Sequence, residues 1–202
     1  MKKWLVPVIV IAVIAVALFS WGKNFNNKAV NLNENVKEAW GNVQTSYQRR
    51  NDLIGNLVKT VQGAADFERN TLKDVIEARS KATQTTVDPS NITPEQLQQF
   101  NQAQGGLSSA LSRLLVTVER YPDLKSNQNF LKLQDELTST ENTIQTARTR
   151  YNEAIKPYNI HVNTFPNVLL AGMLKFSEKP YFDSEPGAEK PVDVNFDFKK
   201  DN

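Results

Sequence analysis

From residue 29 to residue 81 large apolar side chains recur at intervals that alternate between three and four. They are Val36, Trp40, Val43, Tyr47, Ile54, Leu57, Val61, Ala64, Leu72, Val75 and Ile76. Such spacing keeps one stripe of a helix apolar, as in an a/d seam. It predicts one long helix over 29–81, about 53 residues and roughly 80 Å long. No Pro interrupts it, although Gly41, Gly55 and Gly63 weaken it locally. Its first turns have little to pack against if the other helices are shorter, and would form a stalk.

Residues 83–93 (TQTTVDPSNIT) read as a loop. A second helix then starts with three agreeing signals. Thr93 can be the N-cap, Pro94 the first helical residue and Gln96 the reciprocal capping-box partner. Its seam is Leu97, Phe100, Gln104, Leu107, Leu111, Leu114, Val118 and Tyr121, with Gly105-Gly106 as a soft spot, and Pro122 ends it. YPDL is then a short connection between antiparallel neighbours. A third helix runs from about Ser126, a candidate N-cap, to Lys156, with Pro157 expected to stop or kink it. Its seam passes through Phe130, Leu133, Leu137, Glu141, Ile144, Tyr151 and Ile155. A short apolar helix follows near Pro166–Phe176. In the Pro-rich tail from Glu178, Val192, Val194, Phe196 and Phe198 alternate with polar residues. That alternation favours an extended segment laid on the bundle over a disordered end.

The N-terminal stretch has a different pattern. Residues 4–21 (WLVPVIVIAVIAVALFSW) carry no charge, with Lys2 and Lys3 before them and a Trp at each end. Eighteen helical residues would be about 27 Å long, close to a bilayer core of about 30 Å. Trp4 and Trp21 stand where interfacial aromatics belong, and Pro7 lies in the first turns, where its missing N–H costs little. A cleaved signal peptide is the alternative, since Ala15-Val16-Ala17 fits small-x-small. Apolar residues continue past it through Leu18, Phe19 and Trp21, which suits an uncleaved anchor. The organisation expected is an anchor and juxtamembrane segment over 1–28, a helical bundle over 29–177 and a tail over 178–202. The fold class is all-α: a long antiparallel bundle of three long helices plus a short fourth, behind an N-terminal transmembrane helix.

Charge and composition narrow the function. The chain of 202 residues has formal net charge +2. Lys2, Lys3, Lys23 and Lys28 supply four positive charges before residue 29, leaving −2 for the remainder. A mildly acidic domain without a basic stripe argues against a nucleic-acid partner. With no Cys, thiol catalysis, disulfides, Cys-ligated zinc and Cys-linked lipid are excluded. The Lys2, Lys3 and amino-terminal charges before the span slightly outweigh Lys23 and Lys28 after it. The positive-inside bias then places the bundle on the extracytoplasmic side of the cell (inner) membrane. The expected partners are the lipid bilayer and another membrane or envelope protein; no cofactor is expected.

Three strings carry a resemblance. YQRRNDLIGNLVKTVQGAADFE at 47–68, LSRLLVTVERYPDLKSNQNFLKLQDELTSTENTIQTARTRYNEAIKPYN at 111–159 and NTFPNVLLAGMLKFSEKPYF at 163–182 resemble the LemA family. The resemblance covers nearly everything after residue 30. It implies an N-terminal transmembrane segment followed by a long-helix bundle, and supplies a fold and an address rather than a reaction. Two positions depart from the family's usual pattern: Gly55 stands where Pro is usual, and Pro157 interrupts a commonly continuous helix.

No HExxH, GxSxG, Walker or GxGxxG motif is present. His161 is the only His and reads as a solvated loop residue beside Asn159 and Asn163. Asp135 and Glu136 are consecutive helical residues, pointing about 100° apart, and read as surface. The more informative residues are charges on apolar seams. Arg50 shares the row of Val36, Val43, Leu57 and Ala64, while Glu141 lies between Leu137 and Ile144. Glu68 extends the row of Tyr47, Ile54 and Val61. A buried charge is costly unless paired, so Arg50 and Glu141 are expected to form a buried structural pair that fixes register. The alternative is a membrane-associated enzyme with a polar site among Arg50, Glu68 and Glu141. The turn with Tyr121, Asn127 and Asn129 is a candidate interaction tip, or a turn whose side chains cap neighbouring backbone. The reading favours a scaffold or protein-interaction module over an enzyme.

Overall fold

A computed structural model describes residues 4–63 and 67–183. Among them are six helices and no strand: α1 (Leu5–Gln62), α2 (Arg69–Gln84), α3 (Pro94–Val118), α4 (Pro122–Lys125), α5 (Gln128–Asn163) and α6 (Asn167–Leu174). The all-α class holds. α1 and α5 lie antiparallel along most of their length, and α2 and α3 form a second antiparallel pair packed on α1.

α1 begins in the uncharged stretch and continues into the bundle without a break. Its 58 residues extend about 87 Å. The boundary drawn at residue 28 falls inside it. The seam starts earlier than Val36: Phe25, Ala29 and Val36 are buried and Leu32 packs against them. The expected stalk is therefore corrected, because the ends of α5 and α6 reach down to cover these turns.

The single helix expected over 29–81 is two helices. α1 ends at Gln62, with Gly63 as its cap, and Glu68 is extended before α2 begins. A three-and-four spacing cannot tell a continuous helix from two that fold back and bury the same stripe. Val75 and Ala82 of α2 return to the core formed by Leu53, Leu57 and Val61. Gly55, the first departure from the family pattern, leaves α1 unbroken, and the Arg79 guanidinium covers it.

The Thr93 capping box is present. Thr93 Oγ1 accepts from the Gln96 N–H at 3.2 Å, and Gln96 Oε1 accepts from the Thr93 N–H at 3.2 Å. The third long helix starts one residue later than expected, capped by Asn127 rather than Ser126. It also passes through Pro157 to Asn163. Pro157 and Glu153, whose carbonyl loses its partner, are both exposed, so water can hydrate that carbonyl. The turn beyond is held by buried Tyr158 and Asn159.

After α6 the chain turns back along α5 as an extended strap, 177–183. Two asparagines seven residues apart on α5 act as peptide groups towards it. Asn159 Nδ2 donates to Lys179 O at 2.8 Å and its Oδ1 accepts from Lys179 N at 3.0 Å. Asn152 does the same with Phe182, at 2.9 Å both ways. The tail residues Val192, Val194, Phe196 and Phe198 lie outside the described residues.

Candidate functional site

Two hydrophobic cores lie end to end along α1. One runs from Phe25 to Tyr47 and is rich in rings, with Trp40, Phe100, Tyr151, Tyr158 and Phe182 among its aliphatic side chains. The other begins at Leu53 and is mostly aliphatic, with Ile54, Leu57, Val75, Leu107, Leu114 and Leu137. Between them each long helix presents a polar side chain. Arg50 lies between Tyr47 and Leu53 on α1, Gln104 between Phe100 and Leu107 on α3, and Glu141 between Leu137 and Ile144 on α5.

These side chains meet in one hydrogen-bonded layer. Arg50 Nη1 donates to Glu141 Oε2 at 3.2 Å and to Ser108 Oγ at 3.3 Å. Its Nη2 donates to Gln104 Oε1 at 2.5 Å. Gln104 Nε2 in turn donates to the Ala82 carbonyl at 3.3 Å, which brings in the end of α2. The Tyr47 ring lies 4.9 Å from the guanidinium carbon, a cation–π contact. Nε of Arg50 is buried with no hydrogen-bond partner among the described residues.

Burial of the two charges is unequal. The Arg50 side chain is 5% exposed and that of Glu141 is 46% exposed. The expectation of a wholly buried pair is corrected for Glu141, because α3 and α5 stand apart here. The opening is a groove of about 1000 Å³. Tyr47 and Arg50 form its floor, Gln98, Asn101 and Gln102 line the α3 side, and Pro180, Tyr181 and Asp183 of the strap close one end. Arg148, on the α5 side, donates from Nη2 to the Asp183 carbonyl at 2.9 Å and lies over the Phe182 ring. Gly105 also lines the groove, and a Cβ there would meet nothing.

Glu68 does not join this layer. It pairs with Arg120 at 2.9 Å, on the surface. In the turn, Asn127 Oδ1 accepts from Asn129 N at 2.9 Å and Phe130 N at 3.2 Å. The Tyr121 ring packs on Phe67 at 4.9 Å, and Asn129 is exposed. His161 is corrected from a loop residue to a helical one at the junction of three helices. Its Nε2 donates to the Phe25 carbonyl at 3.1 Å, Nδ1 accepts from Asn167 at 3.4 Å, and the ring stacks on Phe25. Asp135 is exposed.

Gln104 was visible in the sequence as a polar residue on an apolar seam, the same signal that singled out Arg50 and Glu141. The strap contacts had a weaker signal, the heptad spacing of Asn152 and Asn159. Lys179 had none. It is buried, with Nζ 5.5 Å from the Tyr158 ring and 3.5 Å from the Ser90 carbonyl. Burial, with a smaller contribution from Lys37, pushes its ammonium below the usual range, and Asp88 opposes the shift. Burial raises the Tyr151 and Tyr158 phenols.

The groove offers amides, hydroxyls and two guanidiniums, that of Arg50 held by the Glu141 carboxylate and that of Arg148 by the Asp183 carbonyl. These groups donate and accept hydrogen bonds at fixed positions. Among the described residues no group of three or more His, Cys, Asp or Glu is arranged to hold a metal ion.

A helical bundle continuous with a stretch long and apolar enough to cross a membrane defines a membrane-associated, all-α protein. The LemA family model matches residues 39–196, and the chain belongs to that family. It is 28% identical over 200 residues to Magnetosome protein MamQ 2 of Paramagnetospirillum magneticum, covering 91% of this chain and 72% of that one. Magnetosome protein MamQ of Magnetospirillum gryphiswaldense is 26% identical over 183 residues, covering 82% and 67%. Protein LemA of Metamycoplasma hominis is 25% identical over 140 residues, covering 69% and 60%.

Proposed function

We propose that this protein is a membrane-anchored scaffold that holds a segment of another membrane or envelope protein in the groove above Arg50. The observation that carries the reading is the continuity of α1. One helix runs from the uncharged stretch to the floor of the groove, so the groove stands at a fixed height and azimuth relative to the span. A catalyst for soluble substrates gains nothing from that rigidity, whereas a scaffold depends on it. The groove chemistry agrees. Amide side chains at Gln98, Asn101 and Gln102 match the donors and acceptors of an extended peptide backbone, and Tyr181 adds an amphipathic ring. The magnetosome designation of the MamQ relatives fits a role at a membrane.

The enzyme reading has less support, since Glu68 sits with Arg120 and the Ser108 hydroxyl in the groove donates to the Gln104 carbonyl rather than to the Glu141 carboxylate. The slight excess of positive charge before the span, from Lys2, Lys3 and the amino terminus against Lys23 and Lys28 after it, supports an extracytoplasmic bundle.

The test is photocrosslinking in intact cells from an unnatural side chain at Gln98 or Asn101, compared with half-buried Thr60 and exposed Lys132 outside the groove. Adducts to one protein from the groove positions alone are expected; equal or no adducts from all four would remove the scaffold reading. The same cells carrying Val116→Cys, probed with an impermeant thiol reagent, test the side of the membrane. Labelling only after lysis would reverse the orientation.

A further inference from the structure

The region around α6 has an apolar surface that the bundle does not use. Phe165–Leu174 is a ten-residue run without charge. A run of about 10–14 apolar residues belongs either to a core helix or to an interfacial segment. Here the core explanation fails, because Ala171 is the only fully buried residue of α6. Phe165 is 76% exposed and Met173 78%, and Leu169 lies between them at spacing four, also exposed. Leu169 and Met173, four apart on α6, therefore share one side of it, and exposed Phe165 lies in the turn that leads into the helix. Val168 and Leu174 flank it, and Ile160 at the end of α5 is exposed too.

The height of this stripe is fixed by contacts with α1. Trp21, the last residue of the uncharged stretch, donates from Nε1 to Asn167 Oδ1 at 3.3 Å. Asn167 opens α6. Phe176, just past its end, packs edge-on against Phe25 at 5.9 Å. Trp21 and Phe25 are one turn apart, so α6 is held at the level where the uncharged stretch gives way to polar residues. Exposed Lys23 and Lys28 on α1 and Lys175 at the end of α6 lie in the same region. Exposed apolar side chains flanked by cations suit the boundary between acyl chains and headgroups.

We propose that α6 and the Phe165 turn form a second membrane contact, with Phe165, Leu169 and Met173 inserted among the acyl chains beside the span. This rests on α1 crossing the membrane, and extends that interface from Trp21, which meets Asn167 of α6 and follows the exposed Leu18 and Phe19 on α1. The contact would stop α1 and the bundle from turning together about the span's axis, and so set the groove's direction in the membrane, which one helix alone does not. The occupant is the same bilayer, and the Trp21–Asn167 bond, the exposure of Phe165, Leu169 and Met173 and the flanking lysines all point to it.

The absence of cysteine makes the test clean, because single Cys substitutions take a nitroxide label without background. The full-length protein is reconstituted into phosphatidylcholine–phosphatidylglycerol vesicles with labels at Phe165→Cys, Leu169→Cys and Met173→Cys. Val10→Cys in the span and Val116→Cys on α3 serve as references. Accessibility to oxygen and to a water-soluble nickel complex is read by electron paramagnetic resonance. The expected result is an oxygen-to-nickel ratio at 165, 169 and 173 several-fold above that at 116, and close to that at 10. Water-like ratios at the three sites with a lipid-like ratio at 10 would overturn this contact and leave the span standing. Water-like ratios at all four would overturn both. Low accessibility to both reagents at the three sites would show that protein covers the stripe, and would also overturn it.

Discussion

The half of the bundle next to the span and the half beyond Arg50 are built from different side chains. The near half packs rings: Trp40 stacks on Phe182 at 5.8 Å and meets Phe100 and Tyr151 edge-on at 5.5 and 5.3 Å. It is also tied by polar side chains to the strap. The far half is aliphatic and held chiefly by helix on helix. Rings bury large areas and tolerate few orientations, so they suit the half that must keep the groove and the span in register. The far half only has to stay folded, and branched aliphatics suffice. Arg50, Gln104 and Glu141 sit where the two meet.

The largest effect expected comes from Trp40→Ala, which removes the ring at the centre of the near core. It should cost about 3–5 kcal/mol, measured by urea denaturation of the full chain in mild detergent. Leu57→Ala, the counterpart in the far core, should cost about 2–5 kcal/mol, and the difference between the halves shows in where the damage spreads. Trp40→Ala should release amide-exchange protection from the strap as well as the helices, whereas Leu57→Ala should leave the strap protected. Strap protection unchanged by Trp40→Ala would break the comparison.

A smaller effect is expected from Asn159→Ala. Two hydrogen bonds to Lys179 are lost, at a cost of about 1–3 kcal/mol. Faster exchange should be confined to the strap and the end of α5. Loss of protection in α2 or α3 would show that the polar layer does not separate the two halves.

Much of this was legible in the sequence, and what was not has physical causes. The Thr93 capping box could be read because it is decided within four residues. The approach of Arg50 to Glu141 was suggested by seam position, since a charge on an apolar stripe needs a partner. The break after Gln62 was hidden because both helices present the same spacing, and only Gly63 hinted at it. The spacing Phe25, Ala29, Leu32, Val36 was also present, but the hydrophobic span beside it masked where the seam began. Pro157 misled because its cost is set by whether the freed carbonyl can reach water, and His161 went with it. The groove could not be read at all, because it depends on how far apart α3 and α5 stand.

The most direct test of the polar layer is a double-mutant cycle on Arg50→Met and Glu141→Leu, read by urea denaturation of the full chain in mild detergent. The two single changes should not be equal. Glu141→Leu leaves a guanidinium in the core without its carboxylate and should cost about 1.5–3 kcal/mol. Arg50→Met leaves a half-exposed carboxylate that water can reach, and should cost less. The double variant should lose less than the sum of the two, by about 0.5–3 kcal/mol. Strictly additive losses, or a larger loss from Arg50→Met than from Glu141→Leu, would contradict the layer that joins the two halves of the bundle.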